Sequence, residues 1–278
     1  MAIPQLSSFS GYRLPALGFG TYRLNGTAGV EAIGRAIDNG YTLLDSAFNY
    51  DNEGAVGAAV RAHRDAREQL VVTSKLPGRH QRFAAALETV EESVYRTGLD
   101  HLDLYLIHWP NPSQHLYVEA WAALIKARSR GLVHEIGVCN FLPEHLERIE
   151  AETGVRPVVN QIELHPYFPQ TDALAYHREH GILTQAWSPI GRGNDLLSNR
   201  TITAIADQHR ISAAQTVLAW HVAVGAIPLP KAATQQRQLE NLGALDVVLS
   251  AAEVAAITAL GRPDGRINNQ DPAAYEEF

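Results

Sequence analysis

Six apolar runs in this chain end on, or close to, a side chain able to do chemistry: Asp45, Lys75, His108, Cys139-Asn140, Gln161 and Trp187-Ser188. Singly, each has an ordinary explanation. Asp45 could cap a helix, and Lys75 could be solvated just past its strand. A lone histidine such as His108 is more often a satisfied, partly buried group than an actor. Tyr50, five residues after Asp45, could be an aromatic packed on a rim. Together they make a different case. Given a hydride source, a tyrosine, a lysine, a carboxylate and an imidazole could reduce a carbonyl. Hydride addition builds negative charge on oxygen, so a proton donor must be aimed there.

Tyr50 is the candidate donor. A free tyrosine has a pKa near ~10, and lowering it by about two units takes roughly 3 kcal/mol of preference for the phenolate. An ammonium at about 4 Å supplies on the order of 4 kcal/mol at an effective dielectric of about 20. Lys75 alone is therefore expected to suffice. Asp45 would keep that lysine protonated when partly buried. His108 could donate a second hydrogen bond to the substrate oxygen.

These residues meet only if the ends of their strands meet. The strand-length runs are 17–20, 41–45, 70–75, 102–108, 135–140, 157–161 and 182–188, with 226–230 weaker. Helix-period segments lie between them. Val30, Ile33 and Ile37 share a face, as do Phe83, Leu87, Val90 and Val94. Trp121, Leu124 and Ile125, then Leu146 and Ile149, then Val254 and Ile257 repeat the pattern. Gly40, Gly98 and Gly131 stand where helices would stop. Strands alternating with helices imply a parallel sheet, and apolar strands imply two covered faces. Eight such units predict a (β/α)8 TIM barrel, one domain over 1–278, with the first dozen residues capping its bottom. Active sites of such barrels lie at the C-terminal ends of the strands. An open doubly wound sheet is the alternative, weakened because no G-x-G-x-x-G follows an early strand.

Of 278 residues, 46% are apolar, enough for a sizeable core. The net charge of -7 argues against nucleic acid or an anionic membrane as partner. One cysteine, Cys139, excludes an internal disulfide framework and fits a reducing cytoplasm. The first residues show neither a basic segment nor the apolar run of a signal peptide. No apolar run approaches the ~20 residues of a membrane span. No metal-ligand motif is present, and His177 with His180 reads as the end of a solvated helix.

The motifs D-S-A-F-N-Y-D-N-E (45–53), T-S-K (73–75), L-I-H-W-P (106–110), G-V-C-N-F (137–141), N-Q-I-E-L-H-P (160–166) and P-K-x-x-x-x-x-R-x-x-E-N (230–241) resemble the aldo-keto reductases. The likeness keeps motif order over nearly the whole chain and is nearest to the bacterial 2,5-diketo-D-gluconate reductase group. It implies a catalytic tetrad of Asp45, Tyr50, Lys75 and His108. It also implies NADPH, preferred over NADH, across the barrel mouth. Asn140 and Gln161 would meet the nicotinamide amide, with Asp45, Cys139, Gly20 and Thr21 close by, and Trp187 would stack on the ring. Ser188, Pro189, Ile190 and Gly191 would line the pyrophosphate. Lys231, Ala232, Arg237, Glu240 and Asn241 would hold the adenosine phosphate, at a helix start suited to an anion. Tyr22, Phe48 and Trp109 are the candidate substrate wall beside Tyr50 and His108.

Several positions depart from that pattern, among them Tyr22, where many relatives have a larger or wholly apolar aromatic. Ala232 replaces a serine common after the lysine, which should narrow the preference for NADPH. Pro77 stands where many relatives have tryptophan, and the stretch 268–272 lacks the usual His-Pro. Substrates open to the resemblance are keto-sugars such as 2,5-diketo-D-gluconate, methylglyoxal, keto-esters and aromatic aldehydes, with the protein acting as a monomer. Two other functions compete. One is a Schiff-base aldolase using Lys75. The other is a cofactor-holding regulatory subunit with little turnover.

Overall fold

The computed structural model describes residues 3–278; residues 1 and 2, which the expected domain includes, lie outside the described residues. Two short strands, β1 (Gln5–Ser7) and β2 (Arg13–Pro15), pair antiparallel. Eight more follow: β3 (Phe19–Gly20), β4 (Leu43–Asp45), β5 (Val71–Leu76), β6 (Leu102–Ile107), β7 (Val133–Cys139), β8 (Val159–Glu163), β9 (Leu183–Trp187) and β10 (Ala226–Pro228). From β3 to β10 each strand pairs in parallel with the next one in sequence. The sheet closes on itself. Gly18 N–H donates to Pro228 O at 3.0 Å, and Gly20 N–H to Pro230 O at 3.1 Å. A Cβ on Gly20 would stand 2.8 Å from Leu229 O, so the seam requires glycine there.

Ten helices are α1 (Gly26–Asp38), α2 (Glu53–Ala62), α3 (Phe83–Thr97), α4 (Tyr117–Ser129), α5 (Pro143–Thr153), α6 (Thr171–His180), α7 (Arg200–His209), α8 (Ala213–Ala223), α9 (Gln235–Leu242) and α10 (Ala251–Thr258). Their apolar stripes face the sheet. Ile33, Val90, Trp121, Leu124 and Ile149 are fully buried against it. Gly98, at φ 61°, ends α3 by donating to the carbonyls of Val94 and Tyr95. None of the described helices is long and apolar enough to cross a membrane.

The β1–β2 hairpin covers the N-terminal ends of the strands, as expected for the first dozen residues. Leu6, Tyr12 and Leu14 pack on Leu43, Leu104, Leu183 and Ile227 inside the barrel. Burying a leucine such as Leu14 completely is worth about 1.5–3 kcal/mol. The Tyr12 hydroxyl reaches Asp103 O at the start of β6, and Phe9 N–H donates to Gly181 O before β9.

One expectation needs correction. His177 is not solvated: it is 2% exposed on the inner face of α6. Its Nε2 accepts from Asn160 Nδ2 at 3.0 Å, so its proton sits on Nδ1, 2.8 Å from Thr184 Oγ1. The helix buries that face on β8 and β9, which its sparse apolar pattern did not announce.

Candidate active site

Asp45 ends β4, Lys75 lies one residue before the end of β5, and His108 follows β6. Parallel pairing brings these ends to one mouth. Lys75 is fully buried, and its Nζ donates to Asp45 Oδ2 at 2.8 Å and to Ser46 O at 2.6 Å. Tyr50 closes the short 3-10 turn Phe48–Tyr50 and lays its ring 5.0 Å from that ammonium. The His108 ring meets it edge-on at 6.0 Å. The loop carrying Tyr50 is fixed from beneath. Ser46 Oγ donates to Asn52 Oδ1 at 2.7 Å, Asn52 Nδ2 donates to Thr21 O at 2.7 Å, and buried Glu53 receives the Ser74 hydroxyl. The D-S-A-F-N-Y-D-N-E run thus supplies both the reactive phenol and the bonds that hold its loop.

The expected acidification of Tyr50 by Lys75 does not occur. Burial around the hydroxyl pushes its pKa up. Lys75 pulls it down, Asp45 and Cys139 push it up again, and the result is about 12. The reason is that Lys75 is not a lone cation: Asp45 sits on it, and the pair projects a weaker field than one charge. For Lys75 itself, burial lowers the pKa, but Asp45, Tyr50 and Cys139 more than reverse this, so it is raised and the amine stays an ammonium. A protonated, enclosed lysine is no Schiff-base nucleophile, which removes the observation behind the aldolase alternative. Burial likewise holds the Cys139 thiol well above its usual range, against any thiolate role.

The expected cofactor residues surround the same mouth. Asn140 Nδ2 donates to His108 O at 3.0 Å, and its Oδ1 accepts the Trp187 indole N–H at 2.8 Å. Gln161 lies inside β8, two residues before its end, and donates to Asp45 Oδ1 and Gln185 Oε1, both at 2.8 Å. Gly20 and buried Thr21 form the barrel seam, the Thr21 hydroxyl donating to Asp45 O. Ser188, Pro189, Ile190 and Gly191 make the loop after β9. Asn140 at φ 61° and Ser188 at φ 49° are held in the left-handed region, a strain kept where surroundings over-determine the backbone. Lys231 and Arg237 stand exposed on either side of the start of α9. Between them Ala232 is buried, and Thr234 caps the helix by accepting Arg237 N–H. Glu240 is half-buried, and Asn241 is buried with its side chain on the Tyr41 hydroxyl.

Among the expected substrate walls, Tyr22 is 39% exposed and meets Tyr50 edge-on at 5.0 Å. Trp109 lies 6.4 Å from Trp187 and 4.5 Å from Tyr275. Phe48 packs differently. It is buried toward α3, with the Arg96 guanidinium 3.9 Å over its ring, the Arg79 guanidinium 5.6 Å from it and His80 edge-on at 5.6 Å.

Glu277 was not visible in the sequence. Its Oε1 lies 2.7 Å from His108 Nδ1, off the ring's N–H axis. An acidic residue in a short polar stretch carries no local signal of such a placement. A second gathering lies at the opposite end of the barrel, where His101, Asp103 and His134 bring possible metal ligands together. The Arg67 guanidinium fills it, 2.9 Å from Asp103 and 3.0 Å from His101 Nε2.

Comparison with known proteins agrees with this arrangement. The aldo/keto reductase family model matches residues 16–262. A 2,5-diketo-D-gluconic acid reductase B from Corynebacterium sp. (strain SHS752001) is 46% identical, over 99% of both chains. A methylglyoxal reductase of Salmonella typhimurium is 39% identical over 94% of each. A Gox0644 variant solved in complex with NADPH superposes with a TM-score of 0.93 at 39% identity, covering 99% of this chain and 100% of that one. The chain is an oxidoreductase that belongs to the aldo/keto reductase family.

Proposed function

We propose that the protein reduces an aldehyde or ketone to an alcohol with NADPH, using Tyr50, Lys75, Asp45 and His108. The observation that carries this reading is the Lys75–Asp45 pair, closed to solvent and set against the Tyr50 ring. The phenol is protonated at neutral pH and so can give its proton to a developing alkoxide. Lys75 stabilises the phenolate left behind, and Asp45 keeps Lys75 charged. His108 orients the carbonyl oxygen from the other side of Tyr50.

The residues at the mouth fit a nicotinamide dinucleotide phosphate. Trp187 offers a half-exposed aromatic face, Asn140 and Gln161 offer amides, and the start of α9 offers two exposed cations. NADPH, when bound there, supplies the hydride. Lys231 and Arg237 support a preference for NADPH over NADH, narrowed by the apolar Ala232. Keto-sugars such as 2,5-diketo-D-gluconate, methylglyoxal and other small carbonyl compounds are the substrates to try, given the relatives above. We infer one domain, acting as a monomer in the cytoplasm.

Tyr50→Phe tests the assignment. It should keep NADPH binding and lose about 10²–10⁴-fold in turnover on these carbonyls, measured by loss of NADPH absorbance. Turnover close to the unsubstituted protein would overturn it. No turnover by the unsubstituted protein on any such substrate would favour the regulatory-subunit reading.

A further inference from the structure

A buried carboxylate from beyond the last helix touches the imidazole at the mouth, and much of its surroundings is committed to keeping it there. Asn49 Nδ2 donates to Glu277 Oε1 at 2.9 Å, and Gly78 N–H donates to Oε2 at 2.8 Å. The Glu277 backbone is clamped as well. Asn111 Nδ2 donates to its carbonyl at 2.8 Å, and its N–H donates to Asn111 Oδ1 at 3.0 Å. Asn111 is fully buried and holds φ 46° to make both bonds. At Gly78 a Cβ would come within 2.4 Å of both Glu277 O and Asn111 Nδ2, so only glycine lets this segment sit so close. Next to it is Pro77, which leaves without a tryptophan the wall against which the segment lies. Tyr275 packs on Trp109 from the same segment.

A segment that only walled a pocket would not need a charge, and burying one is costly. The charge has a target. Burial pushes the Glu277 carboxyl up, but His108, Gly78 N–H and Asn49 pull harder, leaving its pKa below the usual range and the group ionised. A neutral imidazole has a single N–H. A carboxylate beside Nδ1 draws that proton to Nδ1, leaving Nε2 an acceptor unable to donate to a carbonyl. Nε2 donates only if the ring carries both protons, and a carboxylate in contact favours that charged form. The other ionisable groups around the ring are Tyr50, Lys75 with Asp45, Cys139, and Arg79, which holds Asn49 Oδ1 at 2.6 Å. Lys75 and Arg79 oppose a charged imidazole, and Asp45 is already spent on Lys75.

We propose that Glu277 is a positioning residue for carbonyl reduction, fixing the His108 ring and favouring its doubly protonated form so that Nε2 can donate to the substrate oxygen. This rests on the reading of His108 given under the proposed function. Glu277 itself meets no reacting atom.

Glu277→Gln keeps the size and the backbone clamp and removes the charge. With saturating NADPH, the alkaline limb of the kcat profile should move to lower pH by about one unit. Above that limb kcat should fall about tenfold, since each unit removes nine-tenths of the charged ring. The Kd for NADPH should not change. Nitrogen-15 NMR should show His108 passing from the doubly protonated to the neutral ring at lower pH. In a His108→Gln background, Glu277→Gln should cost nothing further. An unmoved pH profile and unmoved nitrogen signals would overturn the proposal. So would a change confined to KM, or a full additional loss in the His108→Gln background. The nitrogen signals do not depend on turnover. A shifted His108 in a protein with no carbonyl reduction would sink the functional reading while leaving the ion pair's effect on the ring intact.

Discussion

At Tyr50 the balance of two opposing effects decides the protonation state. A single cation near a phenol is strong enough to acidify it, and Lys75 is near. But Lys75 is half of a dipole, with Asp45 at 2.8 Å, and the hydroxyl is enclosed by protein. Desolvation wins, and the pKa moves up to about 12. This sets the pH dependence of the two directions of reaction. For reduction the phenol must be protonated, and it is so throughout the neutral range. For alcohol oxidation it must first lose its proton, so that rate should climb about tenfold per pH unit on the alkaline side. Steady-state rates in both directions between pH 6 and 10 check this, and oxidation independent of pH would contradict it. The types and spacing of Asp45, Tyr50, Lys75 and His108 were enough to bring the four together on paper. Phe48 and Glu277 were not legible. Which way a side chain leaves a 3-10 turn, and where a polar segment comes to rest, depend on long-range contacts that no local pattern encodes.

At the level of elements, legibility followed burial pattern. Strands covered on both faces read as continuous apolar runs, and all eight were visible, even the three-residue β10. The β1–β2 strands are three residues each and only partly buried, so they gave no pattern. Helix α8 failed for the opposite reason. Its six consecutive residues Thr216–His221 are buried, so no stripe stands out from the sequence. The start of α9 was read correctly as two cations beside a helix N-terminus. Its contribution is separable from the chemistry, because Arg237 lies exposed on α9 and not at a strand end with the tetrad. A charge-assisted hydrogen bond to a phosphate contributes about 1.5–3 kcal/mol. Arg237→Ala should therefore lower kcat/KM with NADPH by about tenfold or more and leave the value with NADH nearly unchanged. Equal losses with both cofactors would mean that the residue does not read the phosphate.

Across the whole molecule, two histidines tie elements together while uncharged. His177 links α6 to β8 and β9, and His221 in α8 stands between the carbonyls of Val217 and Leu164, to only one of which its single N–H can donate. Burial pushes both down to about 4. Their folded-state values lie below the unfolded value of about 6.5, so the unfolded chain takes up more protons between those limits. Their contribution is present above about pH 6.5 and is lost as pH falls to about 4. Each is worth up to about 3 kcal/mol, against a typical total of 5–15 kcal/mol. Urea midpoints should fall steeply between pH 6.5 and 4, and less steeply in His177→Asn. The barrel seam has a consequence in time. The bonds from Gly18 and Gly20 reach residues 228 and 230, so the ring cannot be completed until four-fifths of the chain has left the ribosome. Until then β3 and β9 present open strand edges, the kind of surface that chaperones shield and that aggregates nucleate on. A pause in synthesis before residues 226–231 have emerged would prolong that exposure, and one after they have emerged would not.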